Sequence, residues 1–206
     1  MEALGEKVLN GLGSIDRDRS FYRASHVGNF LAEDDHFWVA FGHVGPKFGN
    51  WAHQTVSLYD YGLDVFANVE LLPAVKKLRR KVRGDQRKFL EIISGLPEPF
   101  TVRIEERRKR QAQQYDYFPI AELKGQTSTR YGEFGLKVND LESASFRCLL
   151  RFLLKEEEIK YPYLSVRKTI ARKHILELSE RNVDALVKEV ICIMKAFHPL
   201  VKFVNG

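Results

Sequence analysis

Cysteine is scarce in this chain. There are two in 206 residues, Cys148 and Cys192, and neither belongs to a C-x-x-C pair. A structural zinc needs four clustered ligands, so a cysteine-built zinc site is excluded. Both cysteines sit among apolar residues in helix-like segments, which predicts buried free thiols and leaves a disulfide between those helices open. Methionine is equally sparse at two, and with 29% charged residues the composition fits a thermophile protein. No run of about 18 apolar residues occurs, so no transmembrane helix is expected. The N-terminus, MEALGEKVLNGLGS, carries acids and lacks the apolar centre of a secretory signal. Its Leu4, Val8, Leu9 and Leu12 form a short amphipathic stripe instead. The expectation is a soluble cytoplasmic protein with no membrane partner. The phosphate cradles G-x-x-x-x-G-K-[ST] and G-x-G-x-x-G are missing, as is a strained G-x-S-x-G elbow. Neither a cofactor nor a catalytic residue can be named.

What is present is a core-forming composition, 44% hydrophobic, and a positive balance of +6 with a pI near 9.3. The first is enough to bury a sizeable core. The second favours polyanions such as nucleic acid as partners, without specificity. The stretch from His36 to Glu70 holds three β-prone runs separated by glycine turns, and four of the six histidines lie at or before them, at 26, 36, 43 and 53. Phe37–Val44, His53–Tyr59 and Leu63–Val69 read as an antiparallel meander, with Val56 and Leu58 facing the core. Residues 20–34 read as a short helical segment.

Helical spacing of Leu71, Leu72, Val75, Leu78 and Val82 predicts a helix that tolerates Pro73 in its first turn. Asp85 follows Gly84 and can cap a second helix with Phe89, Leu90, Ile92 and Ile93 on its apolar face. Phe100–Glu105 and Tyr117–Leu123 read as strands joined by a charged bend, and Lys124–Gly135 as a polar loop. Val138–Glu158 reads as a long helix, Tyr161–Ser165 as a loop or short strand, and Val166–Leu178 as ambiguous. Ser179 is expected to cap a last helix that runs to Phe197 and is stopped by Pro199. The reading is one α+β domain over residues 1–206, with an antiparallel or mixed sheet flanked by helices.

One resemblance is carried by Phe21-Tyr22 and His26, then Trp38-Val39-Ala40-Phe41, Lys47 and His53, then Gly62 through Phe66. With Ala3-Leu4-Gly5-Glu6 ahead of them and Phe197-His198-Pro199-Leu200 behind, these resemble the bacterial YktB-like family of unknown function. The match is best over residues 3–75. It implies a compact α+β domain with a sizeable sheet and flanking helices, and it assigns no role to any residue.

Three kinds of site compete. The scattered histidines lack metal-ligand spacing, so no metal is expected. His53, Thr55, Ser57 and Tyr59 alternate onto one strand face, with Asp64 and Asn68 at the same parity on the next. With His26, the residues His53, Ser57 and Tyr59 are candidates for a small-molecule or enzyme pocket, although such a face often meets only solvent. Basic residues gather in three groups: Lys76 to Lys88, Arg103 to Arg110, and Arg167 to Lys173. Tyr115, Tyr117 and Phe118 lie near the second. Arg79, Arg80, Arg107, Arg108 and Lys109 are candidates for phosphate contact. Acidic residues such as Glu91, Glu105 and Glu106 offset part of this charge. The leading expectation is a binding module for nucleic acid or another polyanion. A pocket on the sheet is the alternative, and a homodimer built on the aromatic-rich sheet is a third.

Overall fold

A computed structural model describes residues 2–12, 23–29, 37–43, 48–111, 114–125, 135–136, 150–151, 153–154, 162–181 and 183–206. Among the described residues eight strands form one sheet: β1 (Arg23–Asn29), β2 (Phe37–Gly42), β3 (His53–Leu58), β4 (Gly62–Val69), β5 (Phe100–Gln111), β6 (Gln114–Gly125), β7 (Gly135–Leu136) and β8 (Pro162–Ala171). Their order is β1-β2-β3-β4-β8-β5-β6-β7. Every pairing is antiparallel except the short parallel contact of β6 with β7. The helices are α1 (Glu2–Leu12), α2 (Leu72–Gly84), α3 (Gln86–Ser94), α4 (Arg172–Arg181) and α5 (Val183–Asn205). The fold is α+β.

Alternation along the strands decides which face meets the helices. Val39 and Phe41 of β2, Val56 of β3, Val65 and Ala67 of β4, and Val102 and Ile104 of β5 are buried with Val166 and Ile170 of β8. They join Val8 and Leu12 of α1, Leu78 and Val82 of α2, Phe89 of α3 and Phe197 of α5 in one apolar core. On this face Gln54 donates its amide to the Met194 carbonyl at 2.7 Å, satisfying a polar group that the alternation carries into the core. At the surface, Lys7 of α1 reaches Asp184 of α5 at 2.6 Å and holds that carboxyl below the usual carboxylate range.

Local chemistry sets the helix ends. Pro73 sits in the first turn of α2, where its missing N–H goes unused. Asp85 caps α3 by accepting from the Lys88 N–H at 2.8 Å.

Several expectations change. Residues 23–29 form a strand, not a helix. The charged bend after Glu105 does not exist, because β5 runs unbroken to Gln111. Pro162–Ala171 is a strand throughout, and α4 follows at Arg172. Pro199 lies inside α5 and does not stop it. An interior proline costs about 3 kcal/mol, and burial of Leu200, Val201 and Val204 beyond it, at roughly 1.5–3 kcal/mol each, more than offsets that. Leu58, the last residue of β3, is exposed and does not face the core, and Cys192 is an exposed free thiol. Cys148, residues 126–134 expected as loop and most of residues 138–158 expected as helix lie outside the described residues, while 150–151 and 153–154 are helical. Among the described residues no helix is long and apolar enough to cross a membrane.

The hairpin between β3 and β4 closes through paired contacts of Tyr59 and Gly62, and Gly62 has a φ of 156°. A Cβ at this position would run into the Ile170 carbonyl oxygen of β8. Gly62→Ala is therefore expected to lower stability by about 1–3 kcal/mol. The check is a fall in the urea midpoint without a change in slope. An unchanged midpoint would mean that β8 does not close against this turn.

Candidate functional site

The sheet face opposite the core is polar. Register brings Ser57 beside Asp64, Asp64 beside Thr169, and Asn68 beside Ser165, with Arg103 of β5 beside Ser165. Asp64 is 0% exposed and yet ionisable, so its neighbours must satisfy it. Tyr61 donates its hydroxyl to Oδ2 at 2.7 Å, Thr169 donates to Oδ1 at 2.5 Å, and the Arg167 guanidinium lies 3.5 Å from Oδ2. Further along β4, Asn68 donates to the Thr55 hydroxyl at 3.0 Å and accepts from the Tyr163 hydroxyl at 2.8 Å. Arg103 and Glu105 pair at 3.8 Å on the same face. Two arginines stand against two carboxylates, so this part of the face is balanced in charge.

Of the pocket candidates, His53 is buried at the far end of β3. Its Nδ1 is 3.2 Å from the Trp51 carbonyl, its Nε2 is 3.6 Å from Glu70, and Phe48 packs on its ring at 4.4 Å. Ser57 is buried four residues away, about 13 Å along the strand. Tyr59 lies beyond the strand end, stacked on Tyr61 at 4.9 Å. These residues share a face but do not converge, so they form no nucleophile–base pair. His26 lies on β1 opposite Ala40, and its side chain is outside the described residues. The solvent-facing alternative for this face is also overturned, because Ser57, Asp64, Asn68 and Ser165 are all nearly inaccessible. Among the described residues no group of three or more His, Cys, Asp or Glu gathers as a metal site.

The basic candidates divide. Arg79 is 2% exposed, and its Nε donates to the Leu153 carbonyl at 2.6 Å. It joins α2 to the helical residues near 153 and is withdrawn from any phosphate. Arg80, one residue on, is exposed. On the same helix the Lys77 ammonium lies 3.3 Å above the Trp51 ring, which in turn stacks on His43 at 4.4 Å. Desolvation, then repulsion from Arg80, lowers the Lys77 pKa from its usual value. Lys168, read as part of the third basic group, donates to the Glu98 carbonyl at 3.1 Å, and Arg167 faces Asp64.

Arg107, Arg108 and Lys109 lie on β5 in an unexpected setting. β8 pairs with β5 only from Thr101 to Glu106, whereas β6 continues alongside to Gln111. The segment 107–111 therefore pairs on one side only among the described residues, as a two-stranded ribbon beyond the end of β8. Its register sets Arg107 opposite Tyr117, Arg108 opposite Asp116 and Lys109 opposite Tyr115.

No protein-family model and no curated protein matches the chain.

Strand parity alone places Asp64 and Asn68 on the polar face, whereas Arg103, Tyr163, Ser165 and Thr169 join it only through the pairing of β8 with β4 and β5. Alternation in β5 and β8 was the available signal, and only the pairing of β8 with β4 makes it meaningful.

Two outcomes follow from this geometry. Burial, with the hydrogen bond to Asp64 next, raises the Tyr61 pKa well above the ordinary tyrosine value of about 10. The folded state then holds a proton that the unfolded chain releases, so stability is full below pH 10 and falls as pH rises beyond it. Tyr61→Phe should flatten that fall in urea titrations at successive pH values, and an unaltered slope would place the proton elsewhere. Separately, Arg79→Ala should lose about 1–3 kcal/mol of stability, whereas Arg80→Ala should stay within about 0.5 kcal/mol. Equal effects in thermal melts would contradict the burial of Arg79.

Proposed function

We propose that this protein binds nucleic acid through the β5–β6 ribbon, with Arg107, Arg108 and Lys109 as phosphate contacts and Arg80 as an exposed auxiliary. The observation that carries the reading is the ribbon's position. Strands β5 and β6 extend past β8, and the extension bears four consecutive basic residues, Arg107 to Arg110, against one acid, Asp116. A two-stranded ribbon has the right width for a nucleic-acid groove. Tyrosines registered opposite Arg107 and Lys109 add surfaces on which bases can stack. The net charge of +6 supplies long-range attraction of the same sign.

Contacts of this kind fix position and carry no sequence information. The reading is thus a nucleic-acid-binding module with weak sequence preference, without an assigned reaction. Membership of the YktB-like family is part of the same proposal and adds no role to any residue.

Fluorescence anisotropy with labelled single- and double-stranded oligonucleotides, over a range of salt, tests it. Wild-type protein should bind with a steep salt dependence. Arg107→Ala with Arg108→Ala should weaken binding alike on all sequences and reduce the log–log salt slope by about 2. Unchanged affinity in the double variant would remove the assignment, as would no binding at low salt.

A further inference from the structure

We infer that Trp51 is a base-stacking platform for the strand that the ribbon holds. In the free protein Lys77 covers the ring, and it turns to a phosphate when a base arrives. This inference rests on the nucleic-acid reading above and adds to it the place where a base is met.

The first observation is how firmly the platform is held. Trp51 follows the short helical turn Phe48–Asn50, and its N–H donates to the Phe48 carbonyl at 3.2 Å. Its own carbonyl lies 3.2 Å from Nδ1 of His53. At the next residue Asn205 of α5 accepts from the Ala52 N–H and donates to the Ala52 carbonyl, both at 2.9 Å. Trp51 is nonetheless only half-buried and stands outside the apolar core. A large aromatic ring on a pinned backbone has little freedom left to lose when a flat ligand joins it. His43 stacks on the ring at 4.4 Å and 11° from parallel, and the Lys77 ammonium lies 3.3 Å from the ring centre. Two groups so close to one centre occupy opposite faces.

The second observation is that Lys77 is a cover under pressure to leave. Helix α2 carries six basic residues and no acid. Arg79 and Arg83 donate to the carbonyls of Leu153 and Leu154. Lys77 and Arg80, one turn apart, pair with no carboxylate among the described residues. Desolvation and then Arg80 both disfavour the charged form of Lys77. An anion beside the two relieves the repulsion, and a swing off the ring relieves the desolvation. The four-carbon stem of lysine permits that swing. A base then exchanges the cation–π contact for a stack, and the released ammonium meets a phosphate.

The third observation is alignment. Register sets His53, Asn68, Ser165 and Arg103 in one row across β3, β4, β8 and β5. Beyond this row, falling numbers on β3 and rising numbers on β5 run the same way, so Trp51 and the ribbon lie off the same end of the sheet. β3 and β5 are three strand spacings apart, about 14 Å. One nucleic-acid strand lying across this end meets Arg107 to Lys109 and then Trp51, Lys77 and Arg80. A base has to be unstacked to reach the ring, so single strands are the matching ligands.

Tryptophan fluorescence and anisotropy, read during titration with an oligothymidylate and with an abasic strand of the same length, provide the test. Oligothymidylate should quench wild-type emission with the midpoint seen in anisotropy, and the abasic strand should bind without quenching. The quench should vanish in Trp51→Phe, which leaves Trp38 as the only tryptophan. Trp51→Ala should weaken oligothymidylate binding about tenfold and leave the abasic strand as it was. Lys77→Met should lower the log–log salt slope by about 1 while the quench remains. No quench in wild type, a quench that persists in Trp51→Phe, equal losses for both strands in Trp51→Ala, or an unaltered slope in Lys77→Met would each overturn the inference. If Trp51→Ala does not fold, the quench and its loss in Trp51→Phe decide alone. Binding that responds to Arg107→Ala with Arg108→Ala but is silent in tryptophan emission would remove the platform and leave the ribbon. Absence of binding at low salt would remove both.

Discussion

The pairing of β8 with β4 is the constraint on which the rest of this molecule depends. Without it the sheet is two pieces, a four-stranded meander β1–β4 and a hairpin β5–β6, each with an open edge. Antiparallel register from Gly62 against Ala171 to Val69 against Leu164 joins them, and β8 then offers its other edge to β5. The same register sets the chemistry of the polar face. It brings Thr169 and Arg167 to the buried carboxylate of Asp64, and Tyr163 to the amide of Asn68. A shift of one residue would carry Val166 and Leu164 to this face and leave Asp64 buried without its partners. Each side of the strand enforces the other: the apolar residues lock the register that the polar residues need.

Where β8 ends also matters. Its pairing with β5 stops at Glu106, opposite Pro162. From that point β5 and β6 pair only with each other among the described residues, and Arg107 to Arg110 are four consecutive basic residues. Strand edges that carry several charges resist pairing with a further strand, so the basic composition suits a ribbon that pairs on one side only among the described residues. Arg103 and Glu105 of the face and Arg107 to Gln111 of the ribbon are consecutive stretches of one strand.

Much of this was legible in the sequence where a local rule applies. Strands β2, β3 and β4 follow from alternation and glycine turns, α2 from helical spacing, and α3 from the Asp85 cap, all within a residue or two. The family of polar residues on β3 and β4 was legible by parity. What was not legible depends on partners distant in the chain. Arg23–Asn29 has no clean period and becomes a strand because β2 offers it an edge. The run Arg-Ile-Glu-Glu-Arg-Arg-Lys-Arg has weak strand propensity and is held extended by β6. Arg79 looks like its neighbour Arg80 until the helix geometry turns one inward and the other outward. Pro199 obeys the rule for helix interiors, but apolar burial on its far side is larger than the penalty.

The late position of β8 in the chain has a consequence for how the protein forms. Asn68 and Ser165 are 97 residues apart, yet they are neighbours in the sheet. During synthesis from the N-terminus, the β1–β4 meander emerges first and waits with β4 as an unpaired apolar edge until nearly four-fifths of the chain exists. Contacts of such long sequence separation are formed late and slowly, and an uncovered strand edge is the usual route to mispairing between nascent chains. Conditions that slow elongation past Val69 would lengthen the time for which the edge of β4 stands open.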